Sequence, residues 1–170
     1  DGRTFSYLLY DPADSGLDGE RLLVTQNDVR AIQLAKAALY AGIRLLMDRL
    51  GTNTVDEISL AGAFGSHIDT IRATVLGLIP DCDPDRVASV GNAAGAGAVI
   101  ALLSGSARQS ITEVVSRIEK IETALEPAFQ NHFVDAMAIP HRTADSPQLP
   151  TQITLPQRPI QFTGPEHTNR

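Results

Sequence analysis

The sequence has almost no cysteine: Cys82 stands alone among 170 residues. That excludes an internal disulfide, and it excludes a cysteine-ligated iron–sulfur cluster held by this chain alone. Positive charge is also scarce. Lysine and arginine total 14 against 20 acidic residues, a net charge of -6, whereas a duplex nucleic-acid partner requires a basic face to neutralise its phosphates. Solubility in a cytoplasm is the simpler expectation. Long hydrophobic runs are missing too. The most apolar window, "VIALLSG" with the small residues before it, includes Asn92, Gly91, Gly95, Gly97 and Gly105. Its strictly apolar part falls well short of the roughly 20 residues a membrane helix needs, so a buried helix is expected there and no membrane span. His67, His132, His141 and His167 follow no metal-ligand spacing, and no metal site is assigned.

What remains is long enough for one ordinary domain and too short for two comfortable ones. The opening, "DGRTFSYLLY", lacks a basic-then-apolar signal pattern and begins with a glycine turn running into a strand-like stretch, as expected of the later part of a longer protein. "TFSYLLY" and "RLLVT" predict two strands of a hairpin around the polar loop "DPADSGLDGE". Thr25 and Asp28 make a shortened capping box for a long amphipathic helix. Its apolar positions are Ile32, Ala35, Leu39, Ile43, Leu46 and Leu50, and Gly51 stops it.

Residues 58–61 then predict a strand, followed by a glycine turn and a helix over 70–78. "RVASV" predicts a second strand, entering the glycine-rich turn "GNAAGAGA" and a small-residue helix that runs to about Leu103. Strand, glycine turn, helix, repeated twice, is the grammar of an α/β layer. Ser104 to Ser106 predict a helix break and N-cap, and helices are expected over 111–125 and 127–136. Residues 141–170 carry Pro147, Pro150, Pro156, Pro159 and Pro165 among polar residues. They predict an extended tail outside a domain of residues 1–140.

Several residues carry candidate chemistry. In "EISLAGAFGSHID" a strand delivers Gly62 and Gly65 to something that needs bare backbone nearby, and "GNAAGAGA" repeats the arrangement at Gly91. A glycine turn at a helix start offers free N–H donors to a base or phosphate. The same glycines are equally suited to tight strand–helix packing. Neither turn has the G-x-G-x-x-G order or a following G-K-[ST], so a dinucleotide fingerprint and a P-loop are disfavoured. Lys36 emerges at the edge of an apolar stripe with Gln33 one turn before it. A lysine snorkelling over apolar surface is one explanation, and a lysine and amide holding ribose hydroxyls is the other. His67 and Asp69 are better explained by turn chemistry than as an acid–base pair.

Taken together, "TQNDVRAIQLAKAALYAGIRLL", "ISLAGAFGSHID", "GLIPD", "SVGNAAGAGAVIALLS" and "FVDAMAIPH" closely resemble the C-terminal ATPase domain of the reductive activators of corrinoid proteins. These belong with acetate and sugar kinases, heat-shock chaperones and actin. The resemblance covers residues 1–141. It implies an α/β fold, the later lobe of an actin-like (ribonuclease H-like) ATPase with helices packed on a mixed sheet. It implies ATP with Mg2+, and a [2Fe–2S] cluster in the parent protein but not in this segment. The implied activity is ATP-driven return of a cob(II)amide corrinoid protein of a methyltransferase system to the cob(I) state, in a homodimer. In such folds "ISLAGAFG" stands at the adenosine motif, so Gly62, Ala63, Phe64 and Gly65 would face the nucleoside, with Gly91 and Asn92 at the second turn. "QLAK" looks like the Glu-x-x-Lys that holds ribose, with Gln33 in place of the glutamate and Lys36 retained.

This sequence has no aspartate–glycine–glycine phosphate loop, so its catalytic residues are not named. Two alternatives share the resemblance. One is a non-catalytic dimerisation or docking module for a corrinoid protein. The other is a small-molecule kinase or an activator of a 2-hydroxyacyl-CoA dehydratase, to the latter of which the lone Cys82 lends no support.

Overall fold

The computed structural model describes residues 5–15, 18–63, 65–150 and 153. Phe64, His167 and most of the proline-rich tail lie outside the described residues. Strand β1 (Ser6–Tyr10) pairs antiparallel with β2 (Leu22–Thr25), with a short helix α1 (Pro12–Ser15) in the connection. The expected hairpin therefore forms. β2 leads directly into α2 (Gln26–Leu50) through the expected capping box: the Thr25 hydroxyl accepts from the Asp28 N–H, and the Asp28 carboxylate accepts from the Thr25 N–H. Those bonds favour the ionised carboxylate, and the Asp28 pKa is lowered accordingly. Gly51, left-handed at φ 66°, ends the helix.

The face of α2 that packs is not the one its apolar spacing predicted. Of Ile32, Ala35, Leu39, Ile43, Leu46 and Leu50, all but Ile43 are exposed. The buried residues are Lys36, Ala37, Tyr40, Ala41, Leu45 and Met47. The reason is helix α6 (Pro127–Ala136), which lays Phe133, Ala136 and Met137 against Ala37 and Tyr40. Small residues on both helices let the backbones approach. Polar contacts fasten the same seam: His132 to Asp48 at 2.7 Å and Arg49 to Glu126.

β3 (Ile58–Ala61) and β4 (Val87–Gly91) form a parallel pair joined through α3 (Thr70–Leu76). The two strand pairs are separate ladders, one antiparallel and one parallel. Ala73, Ile79, Cys82 and Val87 make the core under β3 and β4. Burial, with Asp83 and Asp81 nearby, pushes the Cys82 thiol pKa up. α3 stops two residues before the expected Leu78 because Gly77 turns left-handed at φ 71°, and Leu78 donates back to the Ala73 carbonyl at 2.8 Å.

Helices α4 (Ala93–Leu103) and α5 (Gly105–Val115) meet at Ser104, whose hydroxyl caps α5 by accepting from the Ala107 N–H. The helix expected over 111–125 is corrected: α5 begins earlier and ends at Val115, leaving one 3-10 turn at Thr123–Leu125. Ile111, Val114, Val115 and Ile118 are all exposed, so no packed face prolongs the helix, and short helices draw most of their stability from packing. The window around "VIALLSG" is helical as expected, but no residue of α4 or α5 is buried. Among the described residues, no helix is long and apolar enough to cross a membrane.

The segment after α6 folds back on the body. The His141 ring lies 4.6 Å from that of Tyr40, and the Gln148 N–H donates to Asp81. In this stretch His141 is buried and Ala144 and Ser146 are half-buried, while the other residues of 142–148 are exposed.

Candidate functional site

Two glycines meet where β3 and β4 end. The parallel ladder slips after Leu60, so that Ala61 pairs with Gly91, and the Gly62 N–H then donates to the Gly91 carbonyl at 2.7 Å. Both glycines are left-handed, with φ 97° and 64°, a region that costs an ordinary residue about 1–2 kcal/mol. Among the described residues, no atom outside the immediate chain neighbours lies within 4 Å of the place where a Cβ on either would stand. The two expected turns are therefore one feature, presenting backbone toward open space.

The neighbouring glycines have a different cause. A Cβ on Gly65 would stand 3.0 Å from the Leu60 Cβ and 3.1 Å from the Leu60 carbonyl, because the turn folds back on β3. A Cβ on Gly95 would stand 2.6 Å from the Asn92 amide nitrogen. Asn92 caps α4, its side-chain oxygen accepting from the Gly95 N–H at 2.9 Å. Packing explains Gly65 and Gly95, whereas at Gly62 and Gly91 it is the left-handed backbone that calls for glycine.

His67 Nδ1 donates to the Ala63 carbonyl at 2.9 Å, and Asp69 caps α3 while pairing with the Arg72 guanidinium at 2.8 Å. Both side chains are committed to the turn, as turn chemistry requires.

Along the whole of β3, Ile58 to Ala61, lies a cavity of about 330 Å³, walled also by Leu39 and Ile43 of α2, Gly65, Ile68 and the Leu78–Ile79 segment after α3. It is mostly apolar and roomy enough for a flat heteroaromatic ring. Leu39 and Ile43 were legible only as a core stripe. Their i, i+4 spacing aims them at β3, and Leu39 stays 47% exposed because it borders a gap.

Lys36 is engaged elsewhere. It is 1% exposed, and its ammonium donates to the carbonyls of Ala136 at 2.5 Å and Ala138 at 2.6 Å. Burial lowers its pKa from 10.5 to about 8. Gln33 is half-buried and, at 3.6 residues per turn, lies about 120° around the helix from Leu39. Lys36 lies about 60° from Leu39 and about 20° from Ile43 around the helix, on the same side of α2 as those cavity walls, with its ammonium taken by the two carbonyls at the end of α6. His141, given no role by its sequence context, accepts with Nδ1 from the N–H groups of Thr143 at 3.2 Å and Ala144 at 3.0 Å. Its ring proton therefore sits on Nε2.

A parallel strand pair crossed by a helix, with open glycine turns beside an apolar cavity, has the plan of an α/β nucleotide-fold lobe of the actin-like class. The chain belongs to the family described as the C-terminal domain of RACo, the ASKHA domain, whose family model matches residues 1–150. It is 44% identical over 115 residues to a protein of Eubacterium limosum named corrinoid activation enzyme RamQ, a match covering 66% of this chain and 19% of that protein. A solved structure described as a reductive activator for corrinoid, iron-sulfur protein is similar with a TM-score of 0.69 at 29% identity, covering 80% of this chain and 22% of that one. The fold is therefore the α/β later lobe that the resemblance implied, and the chain spans about a fifth of the length of these relatives.

Proposed function

We propose that this chain is the nucleoside-binding part of an ATP-dependent reductive activator of corrinoid proteins. The observation that carries the proposal is the pair of left-handed glycines, Gly62 and Gly91, bonded to each other at the strand tips with no close atom among the described residues at either Cβ position. Two left-handed glycines at adjoining strand ends suit the close approach of a flat ligand, and the neighbouring apolar cavity suits a base. Gly62, Ala63, Gly65, Gly91 and Asn92 are the contacts proposed, with Phe64 added on sequence alone. ATP with Mg2+ would be bound by these groups together with phosphate-binding residues outside this chain.

In the longer protein, nucleotide binding and hydrolysis would favour one conformation of a complex over another. That preference would drive an electron from a [2Fe–2S] domain onto a cob(II)amide, restoring cob(I) for methyl transfer. The partner is then a corrinoid protein of a methyltransferase system, and the compartment the cytoplasm.

Titration of Mg-ATP and ADP into the full-length protein, beside Gly62→Val and Gly91→Val, tests this. Binding that both substitutions weaken at least tenfold supports it; binding unaffected by either would remove the glycine pair from the site.

A second reading, a dimerisation or docking role, draws on α4. That helix has no charged residue and leaves Leu102 and Leu103 each 79% exposed, an apolar face suited to another protein surface.

A further inference from the structure

The ammonium of Lys36 is where three elements meet. α6 ends at Ala136, and the last carbonyls of a helix lack partners within it. Lys36 supplies two donors to that end from a helix 100 positions earlier, at Ala136 and Ala138, and a cation at a helix C-terminus is favoured by the helix dipole. The third element is α3. Its terminating Gly77 turns toward the same nitrogen: a Cβ there would stand 3.4 Å from Nζ of Lys36 and 3.5 Å from the His141 Cβ. α3 in turn starts at the cap of Asp69, immediately after the turn that carries Ala63 and Gly65. One short helix of seven residues thus separates the strand-tip turn from the lysine.

A ribose contact would require Lys36 to leave this seam. The carbonyls of Ala136 and Ala138 would then lose their donors at a buried seam. We propose that Lys36 is a positioning residue that fastens the end of α6 to α2 and, through α3 and Gly77, passes a change at the Gly62–Gly91 turn to α6, without touching nucleotide itself. The coupling rests on the nucleotide reading given above; the fastening does not.

Hydrogen exchange of peptides covering 127–138, measured on the full-length protein with and without saturating ADP, separates the two. Lys36→Met keeps the length of the side chain and removes its donors. In the ligand-free variant, exchange at the end of α6 should rise at least tenfold over wild type. Its ADP affinity should stay within about threefold, and the change in α6 exchange that ADP produces in wild type should vanish. Gly77→Ala, which strains the left-handed end of α3 beside Nζ without removing the lysine donors, should also lose that response while keeping affinity, and it serves if Lys36→Met does not fold. Loss of ADP affinity by more than tenfold in Lys36→Met with α6 still protected would make the lysine a ribose contact and overturn the proposal. Unchanged ligand-free exchange would overturn the fastening. A wild type that binds no ADP would overturn the nucleotide reading and the coupling with it, while the ligand-free comparison would still decide the fastening.

Discussion

Lys36 and Ala136, 100 positions apart, are joined by a 2.5 Å hydrogen bond from the lysine ammonium to the last carbonyl of α6. A pH dependence follows from the burial of that lysine. Its folded pKa is lowered from 10.5 to about 8, so between those values the unfolded chain binds the proton and the folded chain does not. Stability attributable to Lys36 therefore rises as pH climbs from about 8 to 10.5, by about 3 kcal/mol at most. The carbonyl bonds, which favour the charged form, reduce the gain. A neutral amine keeps two N–H groups, enough for both carbonyls, so the seam stays closed. Tyr40, packed beside His141, has its pKa raised above 10.0 by burial and opposes the trend above that pH. Cys82, whose thiol pKa burial raises, also opposes the trend, so we predict a urea midpoint that increases from pH 7.5 to 9.5 in wild type relative to Lys36→Met, which lacks the rise. Parallel curves would show that Lys36 does not titrate in this range.

The glycines of the site should separate by phenotype. Gly65→Ala drives a methyl to 3.0 Å from the Leu60 Cβ and 3.1 Å from the Leu60 backbone, where no flexible side chain can yield. A loss of about 2–3 kcal/mol is expected in denaturant unfolding. Gly62→Ala meets no close atom among the described residues and bears the strain of its left-handed backbone, about 1 kcal/mol. Nucleotide affinity, measured on folded protein, should fall further for Gly62→Ala than for Gly65→Ala. The reverse ranking would assign the open glycine to turn geometry alone.

How much of this was legible depends on the range of the signal. Caps and stops are local chemistry, so Thr25, Asp28, Gly51 and Ser104 marked their helix ends correctly. The hairpin and the strand–turn–helix repeat were legible for the same reason. The packing face of α2 was not. Its apolar stripe and its alanine–tyrosine face both have helical period, and only the position of α6, contributed by residues 127–136, decides which is buried. The partners of Lys36 were not legible on the same account: a lysine at the edge of an apolar stripe gives no local sign that two carbonyls from 100 and 102 positions away await it. The two glycine turns were visible as separate motifs, but the Gly62–Gly91 bond depends on parallel pairing across about 30 residues, which spacing alone does not supply.

The exposed face of α4 yields a prediction about association. Leu102 and Leu103 are each 79% exposed, so replacing both with glutamate removes no packing within the chain. Unfolding stability should change by less than about 0.5 kcal/mol. If this face joins another copy or another part of the longer protein, the double variant will sediment as a smaller species or bind its partner more weakly. Unchanged association would assign the interface elsewhere.

The seam between α2 and α6 has a second fastening. Asp48 accepts from Arg44 at 2.9 Å within α2 and lies 2.7 Å from His132 of α6. The Asp48 side chain is 37% exposed and that of His132 24%, so water screens much of the attraction, and exposed pairs contribute roughly 0.2–1 kcal/mol. A double-mutant cycle of Asp48→Asn and His132→Gln should therefore give a coupling below about 1 kcal/mol in urea unfolding. Lys36→Met should cost more than the His132 substitution, because it leaves two carbonyls without donors in a buried seam, whereas Asp48 keeps Arg44. A cycle energy well above 1 kcal/mol, with a mild Lys36 variant, would transfer the main fastening of the two helices from the lysine to the Asp48–His132 pair.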